Sequence, residues 1–124
     1  MTDVALPTRK RGDSLVFTAT LDITVDRSGV PTAITDLSEW DPICQFARTP
    51  GDDDRHQLTL LDITGTAITF GIPNATAALM ADGYFGEIVL QDPEAPEGFG
   101  ELRWPGAGSY LTYTAAQNVA VRGS

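Results

Sequence analysis

A single cysteine, Cys44, stands among the 124 residues of the chain. No intrachain disulfide can form, and one thiol cannot assemble a cysteine-based metal site. Histidine is equally scarce. His56 is the only one, so a Ser-His-Asp or Cys-His arrangement would have to use it as the base. It sits in "GDDDRH" next to three aspartates, and no serine lies in a nucleophile-elbow glycine pattern. "GAGS" lacks the Lys-Ser/Thr ending and the following helix of a phosphate cradle. These shortages predict a protein with no catalytic residues and no cofactor.

Positive charge is also short. Eight Lys and Arg against 17 Asp and Glu leave a net charge of -9, a balance that phosphates repel, so nucleic acid is not an expected partner. The one basic cluster, Arg9-Lys10-Arg11, is expected to act as a local electrostatic handle toward a protein. No apolar run approaches membrane-spanning length, and the N-terminus lacks the charged-then-apolar pattern of a signal peptide. The expectation is a chain made in a cytosol with no membrane partner, in which the acceptor-like Asn74-Ala75-Thr76 stays unmodified. The triplet Asp52-Asp53-Asp54 lacks the alternating ligands and distal Glu of an EF-hand loop. Successive carboxylates on an extended chain also diverge. A solvated loop is the reading there, with no metal.

What the chain does have is alternation. From Ser14 to Asp26, Leu15, Phe17, Ala19, Leu21, Ile23 and Val25 fall on one face, and polar residues other than Val16 fall on the other. That period of two predicts a half-buried strand. At the usual rise it would run about 40 Å, so a bend, a bulge or a change of sheet is expected. Asp26-Arg27-Ser28-Gly29 reads as a turn, and Pro31 to Glu39 as an irregular connection. Trp40, Cys44 and Phe46 share one parity in a second strand ending at Arg48, with "TPGDDDRHQ" as a polar loop after it. Leu58 to Ile63 and the segment carrying Ile68, Phe70 and Ile72 form a hairpin about Thr64-Gly65-Thr66. "PNATAALMADG" predicts one or two helical turns capped by Asn74 and ended by Gly83. Tyr84 to Leu90 and Phe99 to Trp104 form another hairpin around the acidic loop "QDPEAPEG". Tyr110 to Tyr113 begins the last strand, with Val119 and Val121 continuing it.

Strands separated by turn signals, with almost no helix, predict an all-β sandwich or barrel. The boundaries are a short N-terminal arm over residues 1–11 and one domain over 12–124. Trp40, Trp104 and Tyr84 follow the parity of the core. Phe85 and Val89 do not, and neither does Phe99 against Leu102 and Trp104. That surplus predicts a small apolar patch near the last hairpin, a common mark of a protein contact, unless the strand is central and covered on both sides. Tyr110 and Tyr113 are open between packing and a sugar-stacking surface.

The order of these features resembles a phage virion domain, the immunoglobulin-like N-terminal domain of baseplate upper proteins and related small tail and neck-attached proteins. "RGDSLVFTATL" leads a Gly-Asp into a long alternating strand. "ITDLSEWDPICQFAR" sets an Asp-Leu before an inward aromatic and a strand closing on Arg. "AITFGIPNATAALMADGYFGEIVL" supplies a strand, a helical turn and a Gly-Tyr-led strand, and "GELRWPGAGSYLTY" closes the domain. The similarity spans residues 11 to about 121. It implies an immunoglobulin-like antiparallel β-sandwich of about six to eight strands with one helical turn. It also implies a structural virion protein of a tailed bacteriophage, a tail, baseplate or neck adaptor assembled in the host bacterial cytoplasm. Its partners would be other virion proteins, with several symmetry-related copies in the particle, and no catalytic residues carry over. A chain ending near Ser124 points to an adaptor or decoration. Phe85, Val89, Phe99, Arg9, Lys10 and Arg11 are the expected partner-binding residues. The alternative is a carbohydrate-binding or host-surface-binding sandwich using Tyr110, Tyr113 and acidic loop residues. The adhesion-like tripeptide Arg11-Gly12-Asp13 reads as the turn into the first long strand, where Gly supplies backbone freedom.

Overall fold

The computed structural model describes residues 3–10, 12–80, 83–106 and 108–116. Val119, Val121 and Arg11 therefore lie outside the described residues. The fold is all-β, mostly strands in several sheets with one short helix. Two very short strands come first, β1 (Val4–Ala5) and β2 (Arg9–Lys10), followed by β3 (Leu15–Thr20), β4 (Thr24–Arg27) and β5 (Val30–Ala33). The middle of the chain supplies β6 (Ile43–Ala47), β7 (Arg55–Gln57), β8 (Thr59–Thr64), β9 (Ala67–Ile72) and the helix α1 (Asn74–Leu79). The last strands are β10 (Tyr84–Gln91), β11 (Glu101–Trp104), β12 (Leu111–Tyr113) and β13 (Ala115–Ala116).

The larger sheet runs β1-β12-β10-β6-β7, and β11 also pairs with β10. A three-stranded sheet runs β3-β9-β8, and two small pairs, β4-β5 and β2-β13, complete the arrangement. One core lies between the two larger sheets. Leu15, Ile68, Phe70 and Ile72 enter it from one side, and Cys44, Phe46, Ile88, Leu90 and Tyr113 from the other.

The alternation of the first long segment is preserved side chain by side chain: Leu15, Ala19 and Leu21 are buried, whereas Val16, Thr18 and Thr20 are exposed. The segment does change sheet. Leu21 donates its N–H to Thr66, and two residues later Ile23 accepts from Ile34, so the chain leaves β9 and takes β5 as its partner. That division, together with the two-residue strands, raises the described strands to thirteen, above the six to eight expected.

Three further features depart from the sequence reading. The irregular connection after Gly29 begins as β5, because Ser28 and Gly29 both take positive φ and close a two-residue hairpin. The polar loop ends in β7, which pairs with β6. Two short pairings, β1 with β12 and β2 with β13, are parallel rather than antiparallel. No hairpin joins those partners, and a connection nearly as long as the chain permits a parallel pairing. Val4 and Ala5 are thus strand residues of the larger sheet, and Leu6 is buried in the core.

The helix starts without a side-chain cap, its N-cap residue being Pro73. The Asn74 amide instead donates to the Gly12 carbonyl at 2.9 Å. Gly12 itself has φ +89°, and the Asp13 N–H closes a turn on Lys10 at 3.0 Å. Positive φ is the conformation that glycine adopts without a steric penalty, so Gly12 and Asp13, the two described residues of the tripeptide, stand at the turn before β3.

One ion pair ties the β4-β5 hairpin to the end of β10. The Arg27 guanidinium grips Asp92 with both arms, Nη1 to Oδ2 and Nη2 to Oδ1 at 2.8 Å, and Nη2 also lies 3.3 Å from Glu94. Asp92 is buried, and the bonds from Arg27 hold its carboxyl below the usual carboxylate range. A depressed folded value contributes stability that is complete above the unfolded value of about 3.9 and is lost as pH falls through the folded one. Asp92→Asn should therefore melt well below the wild type at neutral pH, with the gap closing below about pH 4. Melting curves across pH 2–7 check this. A gap independent of pH contradicts it.

Candidate functional site

β10 is central in its sheet, flanked by β6 on one side and by β12 and β11 on the other. Strand geometry sends alternate side chains to opposite faces. Tyr84, Ile88 and Leu90 are buried in the core, and Phe85, Glu87 and Val89 stand half-buried on the outer face. Across the ladder, Phe85 lies opposite Ala47 and Thr112, Glu87 opposite Gln45, and Val89 opposite Ile43 and Arg103. These pairings put apolar and polar side chains in adjacent rows.

The rows form the floor of a cleft of about 140 Å³. Phe85 and Val89 lie in it with Tyr110, the Phe85 and Tyr110 rings meeting edge to face at 5.8 Å between centroids. Gln45, Glu87, Arg55 and Arg103 supply its polar lining, and Pro50 and Gly51 from the loop before β7 form part of one wall. Arg103 is bonded to Glu101 at 2.7 Å, and Arg55 Nε donates to the Asp52 carbonyl at 2.9 Å. Both guanidiniums keep donors beyond these bonds, since each carries five N–H groups. An aromatic pair with arginines and an amide around it suits a protein side chain or a polar ring compound.

The structure brings together only part of the expected binding set. Phe85 and Val89 share the cleft. Phe99 does not line it. It stands 68% exposed in the loop before β11, with its N–H bonded to Pro96. Arg9 and Lys10 are exposed on β2, paired with β13. Tyr110 takes a place in the cleft, whereas Tyr113 is buried in the core against Phe46, so Tyr113 offers no sugar-stacking face. Trp40 and Tyr84 are buried as expected, and Trp104 packs half-buried against the core.

The sequence reading missed Gln45, Glu87, Arg55 and Arg103. Parity alone assigns Gln45 to the face opposite Cys44 and Phe46, and Arg103 to the face opposite Leu102 and Trp104. Their convergence needs the β6-β10-β11 adjacency, which no local pattern carries.

The groups considered for chemistry have structural surroundings. Cys44 is fully buried, and burial drives its thiol far above the range in which a thiolate forms at neutral pH. His56 packs edge to face on Tyr84 at 5.5 Å, and the Arg48 guanidinium lies 5.8 Å over the same ring. Asp52 Oδ1 accepts the Asp54 N–H at 3.0 Å, turning that carboxylate back on its own loop. Among the described residues no group of three or more His, Cys, Asp or Glu is placed to hold a metal ion. Compared with protein-family models and with curated proteins, the chain matches none.

Proposed function

We propose that this chain is an immunoglobulin-like β-sandwich domain that works by binding other proteins, as a structural component of a tailed-phage virion. Strand order supports the fold. In immunoglobulin domains strands B, E and D form one sheet, and G, F, C and C′ the other. The order β3-β9-β8 and the order β12-β10-β6-β7 follow that arrangement in the same chain sequence. The setting comes from the resemblance of the sequence to baseplate, tail and neck-attached domains. On this reading the domain is an adaptor, assembled in the host bacterial cytoplasm and present in several copies per particle, and it assigns the chain no catalytic step.

The observation that carries the binding role is the outer face of β10, where Phe85, Val89 and Tyr110 form an apolar floor edged by Arg55 and Arg103. Aromatic residues and arginine are the types enriched in protein interfaces. The test is co-sedimentation of the tagged chain with intact particles from infected cells. Banding with the particles is expected, and recovery only as free protein contradicts the reading. The second reading, carbohydrate binding, is favoured by Tyr110 beside Gln45 and Glu87 in the same cleft. Retention of the isolated protein on a glycan array would decide for it.

A further inference from the structure

The sheet β3-β9-β8 has two edges, and they differ. β8 carries Asp62 and a bulge between Leu60 and Asp62, two features that protect an edge from further pairing. β3 has neither. Its six residues, Leu15–Thr20, contain no charge and no proline, and its register with β9 is unbroken. Long, uncharged, regular edges are what soluble proteins ordinarily avoid.

The hydrogen-bonding phase of β3 follows from its end. Leu21 donates to Thr66, which continues the register of Thr20 with Ala67. Odd-numbered residues therefore turn their N–H and C=O groups toward β9. Val16, Thr18 and Thr20 turn theirs away from β9, and their side chains lie exposed on the outer face, Val16 at 60%. Among the described residues no strand pairs with this edge, so free backbone groups recur at every second residue of β3.

We propose that this edge is a self-pairing site, at which β3 of a second copy adds antiparallel to β3 and joins the two three-stranded sheets into one. A two-fold axis at Thr18 sets Thr18 opposite its own copy and Val16 opposite Thr20 of the second copy, each residue presenting its free groups to the other. Opposed residues of an antiparallel pair share a face, so Phe17 and Ala19 stay on the core side. The acidic flanks Asp13 and Asp22 meet Ile23 and Ser14 in this register, so no carboxylates are opposed. The repulsion that remains comes from the net charge of -9 on each copy, which salt screens. The site is on the other sheet from the cleft and does not rest on the role proposed for it.

Sedimentation equilibrium of the full chain tests the proposal, with Thr18→Asp, Thr18→Lys and an equimolar mixture of the two variants. Wild type should dimerise, more tightly in 0.5 M than in about 0.05 M salt. Each variant alone should dimerise roughly tenfold more weakly, because like charges meet at the axis, and the mixture should recover the dimer. Amide exchange at Val16, Thr18 and Thr20 should slow with protein concentration. Circular dichroism of each variant verifies that the fold is retained, and the double variant Val16→Lys/Thr20→Lys, which sets lysine opposite lysine in the same register, serves in place of a variant that unfolds. A wild type that stays monomeric overturns the proposal. So does a dimer indifferent to charge at residue 18, or one that leaves those three amides unprotected, or protection that needs a different protein.

Discussion

Phe46→Ala is expected to destabilise the domain by about 3–5 kcal/mol, a large share of the 5–15 kcal/mol typical of a domain. Phe46 is fully buried on β6 and meets Tyr113 edge to face at 6.4 Å. Its other contact is the more telling. Gly86 of β10 lies directly opposite Phe46 in the ladder, and a Cβ added there would fall 2.6 Å from three atoms of the Phe46 ring. The ring occupies the space a side chain at residue 86 would fill, and its packing against Tyr113 keeps it from swinging aside. Gly86→Ala alone should therefore cost about 1–3 kcal/mol through overpacking. With Phe46→Ala in place the clash disappears, and Gly86→Ala should be neutral or stabilising, since glycine inside a strand costs about 0.5–1 kcal/mol relative to alanine. Denaturant titration of the four proteins measures the coupling. Additive effects would mean that ring and glycine are not in the contact described.

Phe85→Asp, one residue away, should act on binding rather than on folding. Phe85 is half-buried and its ring contact with Tyr110 contributes about 0.5–1.5 kcal/mol, so the variant should fold. At a protein interface, loss of an aromatic anchor costs 2 kcal/mol or more, about thirtyfold or more in affinity. In the proposed role, where a partner covers this face, the carboxylate adds a desolvation cost. The expected result is a folded protein that no longer co-sediments with particles. Folded protein retained on particles at wild-type levels would place the contact elsewhere on the domain.

Much of the strand content was legible because each side chain of a half-buried strand reports its own face. The alternation from Leu15 to Val25 foretold the inward face, where Leu15, Ala19 and Leu21 are buried and Phe17, Ile23 and Val25 half-buried. The change of sheet is one of the three outcomes that the excess length allowed. β7 was not legible: Arg55-His56-Gln57 carries no apolar period, and it is a strand because β6 offers it an edge. The helix cap failed for a similar reason. Asn74 is a good capping residue locally, but its amide is used by Gly12, 62 residues away. Of the candidate site, Phe85 and Val89 were legible as a break in parity. The rest of the cleft depends on which strands are neighbours, and that is settled by packing of the whole core rather than by any one segment. Phe99 shows the limit of parity reasoning, because it belongs to a turn, where period-two alternation has no meaning.

The most direct test of the binding role is an electron cryomicroscopy map of a particle that carries this protein. The proposal predicts density for the domain with the outer face of β10 (Phe85, Val89 and Tyr110) covered by another virion protein. A particle map in which that face is open to solvent, or in which no density fits this domain, would contradict it.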